Sequence, residues 1–218
     1  MIVVIIMKSC RLTFSVYFLM FITCTLTLDS SGLSALAFFC AAVHELGHFL
    51  ALNAYHVRVK RIDCRLFGVD IVTDHTKCLS YKQEMIIAMA GILANFFLCL
   101  GSWVCWKCDI WTFPAEAIFS MSLFLGIFNL LPVRNLDGGH ALGALLCAHT
   151  SYQKSSYILT AISCFILVPL SVFGIYLLIC SRNTTLFAAS IYLMVSLTGL
   201  PGMLKRKPKT INYLKKTI

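Results

Sequence analysis

Residues 38–55, FFCAAVHELGHFLALNAY, have the composition of a membrane helix except for three polar side chains in the middle. These are His44, Glu45 and His48. An ionisable side chain inside a membrane costs from about 3 to more than about 10 kcal/mol. Their presence therefore indicates a function, and other parts of the chain must stabilise them.

The spacing of the three residues is typical of a zinc site. Positions i and i+4 of a helix lie on one face, so His44 and His48 can both direct an imidazole nitrogen at one metal ion. Glu45 lies beside that face, where its carboxylate can reach a water on the metal. This is the His-Glu-x-x-His arrangement of zinc hydrolases. The alternative is a pair of histidines that are hydrogen-bonded inside a helix bundle.

The composition indicates a polytopic membrane protein. Of the 218 residues, 59% are hydrophobic and 12% are charged, whereas soluble domains are about 25% charged. The net charge of +9 could suggest a nucleic-acid partner. The charges lie in the gaps between apolar runs and at the C-terminus, as in membrane loops, and this argues against nucleic-acid binding.

Among the 11 cysteines, only Cys105 and Cys108 have a suggestive spacing. A single C-x-x-C in a short loop is weak evidence for a metal or redox site. The sequence favours two incidental thiols at a helix end.

Apolar runs define six candidate membrane segments, each close to the roughly 20 residues needed to cross the hydrocarbon. They are residues 12–28, 33–54, 84–106, 114–131, 155–180 and 185–200. The first lacks a clear small-x-small cleavage site, so it is predicted to be a retained signal anchor.

The distribution of basic residues predicts the orientation. Of the 18 Lys and Arg residues, only Lys107 and Arg182 fall in the loops on the opposite side from the N-terminus. The positive-inside rule then places both termini in the cytosol. We expect an integral protein of the bacterial cytoplasmic membrane or of a spore-associated membrane.

The longest loop, between the second and third segments, predicts a β-hairpin. Residues 57–64 and 67–73 alternate apolar and polar side chains and are rich in Val and Ile, with a turn near Arg65 and Leu66. The alternative is a basic loop on anionic lipid headgroups.

The predicted fold class is an all-α polytopic membrane protein of about six transmembrane helices. A cytosolic β-hairpin separates the second helix from the third, and the fourth helix is broken. Residues 1–204 would form a single transmembrane domain with its core at 33–149. Residues 205–218 would form a basic cytosolic tail.

A second membrane acid offers a third metal ligand. Asp137 follows Pro132, which ends the fourth segment, and precedes Gly138 and Gly139. Irregular backbone at membrane depth is tolerated only where it is buried in protein or lines a wet cavity. His140 shares this stretch, and the remaining histidines lie in the loop or near a helix end: His56, His75 and His149. A carboxylate at such a break favours Asp137 as the ligand, although it could also cap the following helix.

Three motifs resemble those of the site-2 proteases, the intramembrane zinc metalloproteases. HELGH at residues 44–48 resembles the zinc helix, and AGILANF at 90–96 resembles the third-segment motif. NLLPVRNLDGG at 129–139 resembles the family's Asn-x-x-Pro and Leu-Asp-Gly motif. The chain is most similar to the compact bacterial branch that processes sporulation sigma-factor precursors.

The resemblance implies one Zn²⁺ per chain, held by His44, His48 and Asp137, with Glu45 as the catalytic residue that activates water. It also implies that Asn129 lies near the substrate or the oxyanion, whereas an interhelical hydrogen bond is the alternative. For Asn95 we expect that structural role.

The expected activity is metalloendopeptidase cleavage within, or at the cytosolic edge of, the membrane. The partners would be a membrane-embedded or membrane-tethered protein substrate, such as a sigma factor or signalling protein, and the lipid bilayer. The sequence does not identify any membrane protein that inhibits or activates this activity. The alternative function is a non-proteolytic zinc sensor or transporter. A dead protease kept as a scaffold is a further alternative, and the intact Glu45 argues against it, because zinc binding alone does not require that residue.

Overall fold

The computed structural model describes residues 2–7, 10–65, 68–73, 79–182 and 184–197. The helices are α1 (Val16–Leu28), α2 (Leu33–Ala54), α3 (Tyr81–Lys107), α4 (Thr112–Leu130), α5 (Asp137–His149), α6 (Tyr152–Ser181) and α7 (Thr185–Leu197). The strands are β1 (Ile2–Met7), β2 (Cys10–Ser15), β3 (Val59–Arg65) and β4 (Gly68–Thr73). The chain divides into two compact units, Met1–Leu159 and Thr160–Ile218.

Four helices, α2, α3, α4 and α6, are long and apolar enough to cross a membrane. They overlap the second to fifth predicted segments. By contrast, α1 and α7 have 13 residues each, fewer than the roughly 20 that a span requires. Part of the predicted sixth segment and the whole basic tail lie outside the described residues. The four long helices indicate an integral membrane protein. Its described residues are predominantly helical.

The predicted hairpin is present, but it belongs to a larger sheet. Strands β3 and β4 pair antiparallel, and their turn at residues 66–67 lies outside the described part of the chain. The sheet has four strands in the order β1-β2-β3-β4. The predominantly helical fold is therefore confirmed, whereas the expected single hairpin is one half of a four-stranded sheet.

The start of the first predicted membrane helix is also wrong. Residues 12–15 belong to strand β2, which runs parallel to β3 with Leu12 opposite Ile62. The Thr13 hydroxyl donates a hydrogen bond to the Asp63 carboxylate, which also pairs with Arg61 at 2.9 Å. This pairing with a distant strand overrides the apolar character of the segment, and α1 begins only at Val16.

Small residues bring α2 and α3 close together. A Cβ atom added at Gly47 would lie 2.8 Å from the Cβ of Ala94 and 2.5 Å from the carbonyl oxygen of Ala90. Only glycine fits at such a contact. The α2 backbone therefore rests directly on α3, within reach of the side chains that α3 presents.

The chain breaks between α4 and α5, at the place where the sequence predicts the break. Helix α4 ends at Leu130, and α5 starts at Asp137 after an extended Leu136. A Cβ added at Gly138 would lie 2.5 Å from the carbonyl carbon of Leu130, and one at Gly139 would lie 2.8 Å from the backbone nitrogen of Arg134. The two glycines therefore allow α5 to begin against the end of α4.

The second unit consists of the α6 residues from Thr160 onward together with α7. A Cβ added at Gly174 would lie 2.9 Å from the Cα of Phe187, so these two helices are in close contact. The Ser171 hydroxyl lies 3.8 Å from the sulfur of Met194.

Candidate metal centre

Helix α2 presents two imidazoles to one point. His44 is 5% exposed, and its ring meets that of His48 edge-on, with 4.9 Å between the ring centroids. The two Nε2 atoms are 3.2 Å apart. The i, i+4 spacing predicted this arrangement.

The start of α5 adds a carboxylate. Oδ2 of Asp137 lies 2.8 Å from Nε2 of His44 and 3.2 Å from Nε2 of His48. One ligand atom from each of these residues lies within 4.8 Å of the other two. We call His44, His48 and Asp137 the metal group. Leu136 occupies the N-cap position of α5, so Asp137 is not the cap that the alternative reading required.

The backbone of α3 sets the tautomer of His48. Nδ1 of His48 is 2.8 Å from the carbonyl oxygen of Ile87. A carbonyl only accepts hydrogen bonds, so Nδ1 must carry the proton and donate. Since a neutral imidazole has one N–H, Nε2 then offers its lone pair to the centre of the metal group.

Helix α3 also forms a wall behind both rings. A Cβ added at Gly91 would lie 2.9 Å from Cε1 of His44 and closer still to the ring of His48. One turn later, Asn95 is wholly buried and its Nδ2 lies 3.3 Å from Nδ1 of His44. The bridge between α2 and α3 expected of Asn95 is thus observed, and it ends on a candidate ligand.

Glu45 lies outside the metal group, on the same helix α2 as His44 and His48. It is half-buried. Burial raises the pKa of the Cys64 thiol on β3, and the charges of Glu45 and Asp63 raise it further. The catalytic role of Glu45 stays a prediction.

Asn129 remains unassigned. Its amide nitrogen donates to the carbonyl oxygen of Leu125, one turn earlier on α4, at 3.0 Å. This bond is within the helix rather than to another helix. The predicted contact with substrate stays a prediction.

Within the described ranges, the metal group is the one set of three potential metal-binding residues whose ligand atoms converge on a point. The cysteine pair Cys105 and Cys108 is not part of it, and His75 lies outside those ranges. Gly91 stands in the motif AGILANF without a predicted role, and the Ile87 carbonyl was not predicted. Gly91 could have been found, since it precedes Asn95 by one turn and so faces the same helix, whereas a backbone carbonyl leaves no trace in a sequence.

The donor set fits zinc. Catalytic zinc sites use three protein ligands from histidine nitrogen, carboxylate oxygen or cysteine sulfur, and keep one position for water. Two imidazoles with fixed orientation and one carboxylate meet this requirement. The backbone carbonyl behind His48 is the outer partner that metal-bound histidines commonly have.

Comparison with known proteins agrees with this chemistry. Residues 104–170 match the family profile described as Peptidase family M50, a region that contains Asp137. The chain is 28% identical over 116 residues to Stage IV sporulation protein FB of Bacillus subtilis. This match covers 52% of this chain and 40% of that protein. It is 28% identical over 161 residues to a zinc metalloprotease of Methanocaldococcus jannaschii, covering 72% of this chain and 45% of the relative.

The chain thus spans less than half the length of these two curated relatives. Among solved structures, it resembles the site-2 protease from Methanocaldococcus jannaschii with a TM-score of 0.65 and 22% identity. That match covers 91% of this chain and 94% of the other. Residues 104–170 are therefore similar to Peptidase family M50, and the chain has the fold of a site-2 protease.

Proposed function

We propose that this chain is an intramembrane zinc metalloendopeptidase that hydrolyses a peptide bond in or near a transmembrane segment of another protein. The observation that carries the proposal is the convergence of Nε2 of His44, Nε2 of His48 and Oδ2 of Asp137 within 4.8 Å inside an apolar helical frame. The relatives named as zinc metalloproteases and the match to Peptidase family M50 support the same activity.

The depth of the metal group supports cleavage inside the membrane. His44 lies near the middle of the 22-residue helix α2, roughly 15 Å from either end at about 1.5 Å per residue. A site at this depth is reached by a membrane-embedded or membrane-tethered protein more readily than by a soluble one.

His44, His48 and Asp137 would hold one Zn²⁺. When bound, this ion supplies Lewis-acid chemistry, polarising the scissile carbonyl and making water acidic enough to lose a proton near neutral pH. Glu45 would take that proton and later give it to the leaving amine. Asn129 would contact the extended substrate strand.

The sheet offers a way to hold an unwound substrate. A membrane helix hides its peptide bonds, so the substrate must be extended locally before it is cut. Strand β4 is an edge of the sheet, and an exposed edge can pair with an extended segment. If variants that abolish strand formation in β4 cleave normally, this part of the proposal fails.

The proposed topology follows from the charge distribution. Six membrane segments, with both termini in the cytosol, put the sheet and the proposed basic tail at 205–218 on the cytosolic side. The proposed catalytic domain is 1–204 with its core at 33–149. The membrane would be the bacterial cytoplasmic membrane or one around a spore, and substrates would include precursors of sigma factors or signalling proteins.

The proposal is tested with purified wild type and Glu45→Gln. We expect both proteins to bind one zinc ion, and only wild type to cleave a membrane-tethered substrate, with a loss of at least about 1,000-fold in the variant. Zinc in both proteins without cleavage of any substrate by wild type would favour the sensor or transporter. No zinc in wild type would refute the metal site.

A further inference from the structure

We propose that Asn95 is a positioning residue: its side-chain amide oxygen accepts the Nδ1 proton of His44 and thereby holds Nε2 of His44 as a lone pair directed at the metal. This rests on the proposed zinc site. The side chain of Asn95 on α3 would thus set the orientation of the ligand His44 on α2.

The burial of Asn95 calls for a partner at each end of its amide. Its side chain is 0% exposed, and Nδ2 lies 3.3 Å from Nδ1 of His44. Oδ1 is buried without a hydrogen-bond partner among the described residues. A buried amide oxygen left unpaired costs about 1–3 kcal/mol. Packing alone therefore does not account for an asparagine at this position.

The chemistry of His44 determines which end of the amide must face it. Nε2 of His44 points at Oδ2 of Asp137, 2.8 Å away. For Nε2 to bind a metal it must be unprotonated, and the single proton of the neutral ring is then on Nδ1. A proton on Nδ1 requires an acceptor, and Asn95 lies at hydrogen-bond distance from that atom.

A half-turn of the amide about its last side-chain bond meets this requirement. The turn exchanges Oδ1 and Nδ2, which occupy nearly equivalent positions. The half-turn brings Oδ1, which otherwise has no hydrogen-bond partner among the described residues, against Nδ1 of His44. Only the orientation with Oδ1 toward His44 fits the tautomer that a metal ligand needs.

The two histidines are held by different kinds of acceptor. His48 donates to the Ile87 carbonyl at 2.8 Å, which belongs to the main chain and survives any substitution. His44 depends on a side chain. The close approach of Gly47 to Ala94 keeps Asn95 in range, since Asn95 is the next residue on α3. His44 is therefore the ligand whose orientation substitution can change.

Three variants separate this role from packing. Asn95→Leu removes the acceptor and keeps the branching of the side chain at Cγ. Asn95→Asp keeps an acceptor and removes the donors. Ser102→Ala is the control: Ser102 lies further along α3, is 7% exposed, and donates to the Leu98 carbonyl at 2.9 Å rather than to a histidine.

The readouts are the zinc dissociation constant from chelator competition, the visible spectrum of the Co²⁺ form, and the thermal midpoint of the zinc-free protein. We expect Asn95→Leu to bind zinc about 10- to 100-fold more weakly, as for other outer-shell partners of metal-bound histidine. We expect an altered Co²⁺ spectrum in the same variant. Asn95→Asp should stay within about 3-fold of wild type, and Ser102→Ala should be unchanged.

Two results would overturn the proposal. If Asn95→Leu lowers the thermal midpoint but binds zinc as tightly as wild type, Asn95 only packs. If Asn95→Asp loses zinc affinity, the amide acts as a donor toward His44. The Asp result stays informative if the Leu variant does not fold, because an ionised carboxylate can accept the Nδ1 proton of His44 but cannot donate to that atom. Failure of wild type to bind zinc would instead refute the proposed function.

Discussion

The metal group and the Cys105–Cys108 pair both have a ligand spacing suggestive of a metal site, and they differ in how they are built. The metal group joins α2 to α5 and rests against α3, and His44 within it is 5% exposed. Both cysteines lie at the end of α3, where Cys105 is half-buried and Cys108 is exposed. No third ligand joins them within the described part of the chain.

The difference shows what turns a ligand spacing into a site. Two ligands at a local spacing occur in both places. In the metal group, tertiary structure adds a carboxylate at 2.8 Å from Nε2 of His44 and a backbone acceptor behind the ring of His48. At the cysteines it adds neither, so the spacing remains a local coincidence.

The largest effect should follow removal of the carboxylate. We expect Asp137→Ala to lower zinc affinity by more than about 100-fold, since loss of an outer-shell partner alone costs about 10- to 100-fold. Cleavage should fall to background. Zinc content by mass spectrometry of the purified protein checks this.

The exposed acid Glu116 on α4 provides the control. Glu116→Gln should retain full zinc content. If Asp137→Ala keeps one zinc ion per chain, the carboxylate is not a ligand and the account of the break between α4 and α5 is wrong.

A smaller but still large effect should follow a methyl group at Gly91. An added Cβ would lie 2.9 Å from Cε1 of His44 and closer to His48, so both rings must shift. We expect Gly91→Ala to weaken zinc binding about 10-fold or more, measured by chelator competition.

Gly101→Ala is the matched control on the same helix, since a Cβ there would meet no atom within 4 Å. It should bind zinc normally and gain about 0.5–1 kcal/mol of stability from the helix propensity of alanine. Equal zinc affinity in the two variants would contradict the close wall behind the histidines.

How much of this the sequence could predict depends on the range of the interaction. The i, i+4 histidines, the long apolar helices and the β3–β4 hairpin follow from local patterns. The pairing of β2 with β3 does not, because Leu12 and Ile62 are far apart in the sequence. The apolar residues 12–15 were therefore predicted as part of a membrane helix.

The site shows the same limit. The cost of a membrane carboxylate indicated Asp137, but its approach to both Nε2 atoms depends on how α5 packs after the break. The contact of Asn95 with His44 depends on the Gly47–Ala94 approach. The sequence shows the small residues Gly47 and Ala94, but it does not show that they face each other across two helices.

The smallest effect should come from the cysteine pair. We expect Cys105→Ser combined with Cys108→Ser to leave zinc content and cleavage unchanged, because none of the described residues completes a metal site with these thiols. Loss of one zinc ion per chain in the double variant would show that the cysteine pair binds zinc and would contradict this expectation.

The most direct test of the central claim is the zinc X-ray absorption spectrum of the Glu45→Gln protein. The account predicts a first shell of nitrogen and oxygen only, at about 2.0–2.2 Å, with the outer scattering of two imidazoles. A sulfur shell at about 2.3 Å would place zinc on cysteine instead and contradict the assignment of His44, His48 and Asp137.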